Sequence, residues 1–251
     1  MSVLTDHGDQ TVVLSARRMA WLRFRSNPVA IIGALMVLSV LFCVAFAPWI
    51  APYPTHAGGI VDFANRHQPP SVDHVMGTDK VGRDIFTRVI YGFRISLLLI
   101  VGVLGVAVPV GAALGLAAGY FGGRTEFLIT GFTNVMLAIP PLVMALAVGN
   151  VLNPNLITAM FAIALLWWTW HARLIYRVAK SVAAEDYIEA ARLAGASHWH
   201  ILTKEILPNC IAVISVKSTL DAAFIILFGA TLSFLGLGVR PPTPDLGSMV
   251  A

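Results

Sequence analysis

The sequence predicts an all-α membrane protein, a bundle of helices that cross a lipid bilayer. Hydrophobic residues make up 57% of the chain and charged residues 12%, about half the charged share of an average soluble domain. Mean hydropathy is +0.79, and several charge-free stretches reach the ~20 residues that a helix needs to cross the hydrocarbon layer. The net charge of +4 therefore indicates membrane topology rather than binding to nucleic acid.

Residues 1–27 are predicted to form a basic segment in the cytoplasm. Positive side chains alternate there with apolar ones, as in a helix that approaches a membrane surface. They are Arg17, Arg18, Arg23 and Arg25, with Trp21 and Phe24 among the apolar residues between them. Since positive residues beside a first span favour the cytoplasmic side, the N-terminus is expected inside the cell.

Residues 28–251 are predicted to form a transmembrane domain with five spans. The spans are expected at about 29–50, 97–119, 127–149, 156–176 and 209–232. The charge-free run from 127 to 170 is too long for one crossing, so its Asn- and Pro-rich stretch, 150–155, is assigned to a loop between two spans. Three tryptophans followed by Arg173 and Arg177 mark the cytoplasmic end of the fourth span. The connection 177–208 is therefore expected in the cytoplasm.

The outer loop, residues 51–93, is expected to contain one helix over residues 80–91. Apolar residues recur on one face of this stretch, so the helix is predicted to lie in the outer membrane interface, apart from the second span. The histidines of the loop are widely spaced, which indicates surface residues rather than a metal site. They are His56, His67 and His74. Cys43 and Cys210 fall in or beside apolar spans and are expected to be free thiols.

Two features inside the predicted spans concern packing. Gly111, Gly115 and Gly119 repeat every four residues, and such a stripe lets a neighbouring helix approach closely. Pro140 and Pro141 would break or kink the third span. A break at membrane depth is tolerated where the freed backbone groups find partners or line a cavity. The two prolines are therefore candidates either for the translocation path or for a plain packing kink.

The fifth span contains two ionisable residues, Lys217 and Asp221. Their i, i+4 spacing lets them neutralise each other on one helix face. Each costs at least ~2.5 kcal/mol inside a bilayer, so such groups usually face protein or water. The pair is either a polar point on a substrate path or an internal contact between helices.

The stretch 185–209, EDYIEAARLAGASHWHILTKEILPN, is a charged island in an otherwise apolar chain. Asp186 can cap a first helix, Gly195 can end it in a left-handed conformation, and Ser197 can cap a second helix. Trp199, Leu202 and Ile206 would form the apolar face of that second helix, and Pro208 would break it or start the next one. The island is predicted either to dock onto another protein or to rest on lipid headgroups.

Three stretches of the sequence resemble a known family. The run EAA, three residues and Gly195, ending in ILPN at 206–209, resembles the cytoplasmic coupling motif of permease subunits of bacterial ATP-binding-cassette (ABC) importers. The segments MGTDKVGRD at 76–84 and LSFLGLG at 232–238, with PPTP after it, resemble the dipeptide, oligopeptide and nickel branch. The resemblance covers roughly residues 17–251. Glu205 departs from the general pattern, which has isoleucine there, but the peptide branch commonly has a polar residue at this position.

The resemblance implies an importer-permease bundle, specifically the "C"-type dipeptide permease, in the bacterial inner membrane. Coupling to an ATPase would fall to Glu189, Ala190, Ala191, Gly195, Ala196, Ser197, Trp199, Leu207 and Pro208. The path would use Pro140, Pro141, Lys217 and Asp221, and contact with a binding protein would use Asp79, Arg83 and Asp84. The implied partners are a second permease, one or two ATPase subunits that carry ATP and Mg²⁺, and an extracytoplasmic substrate-binding protein. A sixth span, after the PPTP segment, is expected from the family.

No catalytic constellation accompanies these motifs. The sequence contains no P-loop, HExxH or nucleophile elbow, so no enzyme activity and no cofactor are expected on this chain. The import of small solutes, most simply di- or oligopeptides, is the predicted function. An ion-coupled secondary transporter that uses Asp221 and Lys217 is the alternative, because such transporters place ionisable groups near broken helices.

Overall fold

The computed structural model describes residues 16–250, and the regular structure of these residues is helical. The prediction of an all-α fold is confirmed, since the only β-type pairing in this part of the chain is an isolated bridge between Thr78 and Asp84. The chain forms two compact units, one up to Ile50 and one from Ala51 onward. The predicted basic segment lies partly outside the described residues.

The first unit consists of helices α1 (Ala16–Ser26), α2 (Pro28–Ala45) and α3 (Ala47–Ile50). The Asn27 side chain caps α2, accepting hydrogen bonds from the backbone N–H groups of the second and third helical residues at 3.0 and 3.3 Å. The predicted span 29–50 is interrupted after Ala45, because Pro48 has no N–H with which to continue the helix. Every side chain of α2 is at least partly exposed, as a lipid-facing helix requires.

The second unit begins with two 3₁₀ turns, Pro54–Ala57 and Phe63–Asn65, and then forms α4 (Ile85–Phe121). The prediction of a separate interfacial helix over 80–91 is wrong, because a single 37-residue helix joins it to the second span. The Asp84 carboxylate fixes the start of α4 by accepting a hydrogen bond from Thr87 N at 2.7 Å. At 1.5 Å per residue α4 is about 55 Å long, so it extends beyond a ~30 Å hydrocarbon layer.

The predicted third span is broken, as expected from its proline pair. It consists of α5 (Gly123–Leu137) and α6 (Pro141–Val151), whose axes meet at 80°. The turn between α4 and α5 uses Gly122 and Gly123, both at positive φ, where glycine has little steric cost. After the loop come α7 (Leu156–Ala183) and a short helix, α8 (Asp186–Leu193).

Helices α4 and α7 form the closest packed pair of the second unit. A Cβ atom added to Gly111 would lie 2.6 Å from His171 Cβ, and one added to Gly119 would lie 2.7 Å from Ala179 Cβ. The glycine stripe therefore lets the two helices touch, which confirms its predicted role. The buried core on either side of this contact includes Val103, Ala107, Ala162, Trp167 and Ile225 towards one end and Leu116, Ile175, Ile188, Ile201 and Ile206 towards the other.

The chain then continues through α9 (His198–His200), a π-helical turn (Ile201–Ile206) and α10 (Leu207–Phe234) without a break. Pro208 does not break this helical run, but it does lie in the first turn of α10, in agreement with the alternative that it starts the next helix. The wider π turn ends with Leu207 N bonded to Leu202 O, five residues back, and Pro208 falls where the hydrogen-bond pattern changes. Its missing N–H is therefore tolerated, and the 37 residues from His198 to Phe234 form one rod.

Three helices among the described residues are long and apolar enough to cross a membrane. They are Pro28–Ala45, Ile85–Phe121 and His198–Phe234, and the bent pair α5–α6 counts as a fourth if it is one span. The fold is thus that of a polytopic helical membrane protein, while the number five remains a prediction.

Candidate functional site

A buried charged cluster joins α7 and α10. Lys217 Nζ and Asp221 Oδ1 are hydrogen-bonded along α10, which confirms the predicted i, i+4 pair. On the other side, His171 Nε2 of α7 lies 3.0 Å from Asp221 Oδ2. The side chains of His171 and Asp221 are 0% and 2% exposed, whereas that of Lys217 is 27% exposed. The ammonium group of Lys217 is therefore partly exposed, whereas the carboxylate of Asp221 is enclosed by protein.

The same cluster lies at one side of a cavity of about 370 Å³ between α6, α7 and α10. Its lining residues are Pro141, Trp167, Trp170, Lys217, Leu220, Asp221, Phe224 and Phe228. Three of the four predicted path residues, Pro141, Lys217 and Asp221, thus meet here although they are far apart in the sequence. Pro140 is exposed at the bend between α5 and α6, outside this lining.

Sequence reasoning missed His171, which it assigned only to the cytoplasmic end of the fourth span. The available signal was its isolation, since His171 is the one titratable residue between 127 and 172. An ionisable group in a membrane span needs a partner, and Asp221 is the acid that the fifth span offers.

In the outer loop, Asp79 organises a tight turn. Its carboxylate accepts hydrogen bonds from Val81 N at 3.0 Å, Arg83 N at 2.9 Å and Arg83 Nε at 2.8 Å. Burial acts to raise the pKa of Asp79, but these hydrogen bonds, first from the Arg83 and Val81 backbone, outweigh it and hold the pKa below 3.8. Arg88 Nε lies 3.7 Å from the same carboxylate.

The residues predicted to contact a binding protein differ in solvent exposure. Asp79 and Arg83 are partly exposed, whereas Asp84 is 1% exposed and is held by His74 Nδ1 at 2.9 Å. The prediction that His74 lies on the surface is wrong, because its ring is needed as the partner of the buried Asp84 carboxylate. His56 also contacts Asp84, because its Nδ1 accepts a hydrogen bond from Asp84 N at 3.0 Å.

The EAA stretch forms a helix–turn–helix on the surface. Gly195 ends α8 at φ +83°, with Gly195 N bonded to Arg192 O and Ala196 N to Ala191 O, a Schellman motif. Ser197 caps the next helix, accepting a hydrogen bond from His200 N at 3.2 Å, as predicted. The predicted capping role of Asp186 is wrong. It is already the first helical residue, and the cap position is taken by Glu185, without a side-chain bond.

One face of this helix–turn–helix is anchored and the other is free. Ile188, Ile201 and Ile206 are fully buried against the ends of α4 and α7. The predicted apolar face is wrong at Trp199, which is 75% exposed, because Ile201 takes the buried position at the start of the π turn. Leu193, at 84% exposed, adds to the free apolar surface. The predicted coupling residues are all exposed or half-buried: Glu189, Ala190, Ala191, Gly195, Ala196, Ser197, Trp199, Leu207 and Pro208.

A second contact ties this region to α4. The Tyr120 hydroxyl and His198 Nδ1 lie 2.8 Å apart, and the Arg192 guanidinium lies 4.7 Å from the Tyr120 ring centre. Near the same end of the helices, Glu126 of α5 binds both Tyr176 and Lys180 of α7.

Comparison with known proteins decides the family. Residues 111–251 match the family described as "Binding-protein-dependent transport system inner membrane component". Residues 15–70 match "N-terminal TM domain of oligopeptide transport permease C". The chain belongs to this permease family. The resemblance drawn from the EAA stretch and the outer-loop motif is thereby confirmed.

Individual relatives agree over nearly the whole chain. The probable D,D-dipeptide transport system permease protein DdpC of Escherichia coli (strain K12) is 37% identical, over 93% of this chain and 77% of its own length. The di/tripeptide transport system permease protein DppC of Pseudomonas aeruginosa (strain UCBPP-PA14) is 39% identical, over 92% and 77%. The glutathione transport system permease protein GsiD of Escherichia coli (strain 536 / UPEC) is 38% identical, over 92% and 75%.

The permease is therefore a subunit of an ABC importer and a multi-pass protein of the inner membrane. Membership of this family implies ATPase and substrate-binding partners in general, and a role in transport rather than in catalysis. The ion-coupled alternative is not favoured, because the relatives are permeases of binding-protein-dependent systems.

Proposed function

We propose that this permease forms, with a second permease subunit, the translocation path for di- or oligopeptides. Its similarity to permeases named for dipeptides, di/tripeptides and glutathione supports a small peptide as the cargo. ATP and Mg²⁺ would be bound by one or two ATPase subunits, so this chain carries neither. We further infer five spans, with the N-terminus and the connection 177–208 in the cytoplasm.

One observation carries the coupling part of the proposal. A single helical rod, His198–Phe234, contains both the exposed Trp199 and the Lys217–Asp221 pair that lines the cavity. A rigid helix transmits displacement at one end to the other without loss in a hinge. A partner that moves Trp199 would therefore move Lys217 as well.

The mechanism follows from two states of one bundle. The surface around Gly195 and Trp199 would sit on the ATPase, which changes shape when it binds and hydrolyses ATP. Contacts that differ between the two shapes bias the bundle between inward-open and outward-open forms. On the outer side, the partly exposed Asp79 and Arg83 would meet the binding protein, with the buried Asp84 fixing the loop behind them.

The test is co-purification of the permease with its ATPase from native membranes, with Gly195→Arg and Glu189→Lys as variants. Gly195 has open space around it, so arginine adds bulk and charge to the docking surface as well as strain at φ +83°. We expect both variants to insert in the membrane and to lose at least about tenfold in retained ATPase, because a charge is misplaced in a desolvated interface.

The matched control is Val72→Arg, which adds the same charge at a residue of the outer loop that is 99% exposed. It should retain ATPase like the wild type. Equal retention by all the variants would show that the EAA stretch is only a membrane-surface loop.

A further inference from the structure

We propose that the cavity between α6, α7 and α10 binds the terminal carboxylate of the peptide substrate at Lys217. An apolar side chain of the same peptide would lie against the aromatic wall of the cavity. This inference rests on the proposed function and goes beyond it, since it names the part of the substrate that the permease itself recognises.

The wall of the cavity is aromatic and shaped for an apolar group. Trp167 packs edge-to-face on Trp170 and Phe228, with ring centres 5.0 and 5.2 Å apart, and Phe224 is 54% exposed. A volume of about 370 Å³ falls in the range of small-ligand sites, which are mostly apolar with a few polar groups that fix orientation.

Lys217 supplies the polar group. One of its three N–H donors is used by Asp221, and its ammonium lies 6.0 Å above the Trp170 ring. Among the described residues the two remaining donors have no acceptor. A lysine left with open donors beside an apolar wall suits a carboxylate, which forms charge-assisted hydrogen bonds.

Asp221 offsets part of the charge of Lys217, but it uses only one of the three N–H donors. Its two oxygens face Lys217 and His171, and only 2% of its side chain is exposed. An incoming anion would therefore hydrogen-bond to the remaining donors of the more exposed ammonium group. Asp221 acts as a positioning residue, since it holds the Lys217 head at the edge of the cavity.

Unsatisfied polar atoms also concentrate at this place. Trp167 Nε1 and His171 Nδ1 are buried without a hydrogen-bond partner among the described residues, while His171 Nε2 and Asp221 Oδ2 face each other at 3.0 Å. Such atoms are uncommon in folded proteins and call for an explanation at each site. Of Trp167 and His171, Trp167 also lines the cavity, where a peptide offers carbonyl acceptors and a lipid tail offers none.

The experiment measures binding of labelled dileucine, and of its C-terminal amide, to the complete transporter in nanodiscs without the binding protein. We expect Lys217→Met to weaken binding of the free acid about tenfold or more and to leave the amide unchanged, as loss of a charge-assisted hydrogen bond requires. Lys217→Arg should retain the acid preference. Lys80→Met removes a lysine from the exposed outer loop and should behave as the wild type.

A second variant tests the wall without touching the charge. Phe224→Ala should weaken dileucine more than diglycine, because only the former has an apolar group to place there. Binding-protein-stimulated ATP hydrolysis by each variant confirms that it is folded and assembled.

Unchanged affinity of the acid for Lys217→Met would overturn the inference and assign the cavity to lipid or to the second permease. Wild-type transporter that takes up peptide with ATP but binds no dipeptide by itself would also overturn it, while the proposed function stands. Absence of any ATP-driven peptide uptake would remove the proposed function, and the inference with it.

Discussion

At the scale of single residues, an aspartate within a membrane span needs partners, and Asp221 has two. Insertion of one such acid costs about 2.5–3.5 kcal/mol, and breaking a buried ion pair costs about 3–5 kcal/mol. His171 and Lys217 offset that cost from two different helices, so the cluster also fixes how α7 and α10 meet. Asp221, which holds the two helices together, and Lys217, the residue proposed to contact substrate, are therefore neighbours in one network.

Asp79 allows a pH prediction at the same scale. A carboxylate whose pKa is lower in the folded state stabilises that state above the unfolded pKa, and the contribution is lost as the pH falls through the folded pKa. Because the pKa of Asp79 is held below 3.8, the loop should keep its protection from hydrogen exchange down to about pH 4 and lose it below.

The variant Asp79→Asn should lose about 1–3 kcal/mol of local stability at neutral pH, since hydrogen bonds to a charged acceptor are lost. In this variant the loop's protection from hydrogen exchange should also no longer drop below about pH 4. Hydrogen exchange of the segment 76–84, followed by mass spectrometry, measures both effects. Asp73→Asn, at an exposed position of the same loop, is the control and should change neither. A transition that persists in Asp79→Asn would contradict the assignment.

At the scale of helices, the contact between α4 and α7 depends on missing side chains. A Cβ atom at Gly115 would lie 2.7 Å from Ala172 O and 2.9 Å from Ile175 Cβ, both parts of the packed helix. Gly115→Leu should therefore force the helices apart and cost about 1–3 kcal/mol or more, the usual penalty for overpacking. Gly105, ten residues earlier on α4, has no atom within 4 Å of the equivalent Cβ position.

The thermal midpoint of the purified permease in detergent, read by size-exclusion chromatography after heating, distinguishes the two substitutions. Gly115→Leu should lower the midpoint clearly, while Gly105→Leu should leave it near the wild-type value. Equal midpoints would mean that the stripe does not carry the packing of this helix pair.

These helices also show which features are readable from sequence. The Gly111–Gly115–Gly119 repeat, the Pro140–Pro141 break and the left-handed Gly195 were predictable, because each depends on spacing or on the backbone of one residue. The second partner of Asp221, His171, was indicated only by its isolation in an apolar stretch, because it comes from another helix. Continuity through Pro208 was not predictable, since a π turn absorbs the missing donor and leaves no signature in residue type.

At the scale of the whole molecule, the EAA stretch is joined to the helix bundle by its buried isoleucines and by two further connections. One is the continuous helix formed by α9, the π turn and α10, which leads to the cavity. The other is the pair of Tyr120 and His198, through which the same stretch reaches the end of α4. Since α4 begins at Ile85, beside the loop 51–84, the proposed coupling through the EAA stretch would reach both the cavity and that loop.

Transmission through α4 predicts an uncoupled transporter when the second contact is cut. Tyr120→Phe removes the hydroxyl near His198 Nδ1 but keeps the ring under Arg192, so the fold should persist. In proteoliposomes with all subunits, we expect ATP hydrolysis near the wild-type rate and several-fold fewer peptides imported per ATP, because loss of one ~1 kcal/mol contact shifts a two-state equilibrium about fivefold. His198→Ala should give the same ratio, and the double variant should add little, since both remove one interaction. Tyr91→Phe, near the other end of α4, is the matched control and should import as many peptides per ATP as the wild type. An unchanged ratio in Tyr120→Phe would show that the contact between Tyr120 and His198 does not carry the coupling.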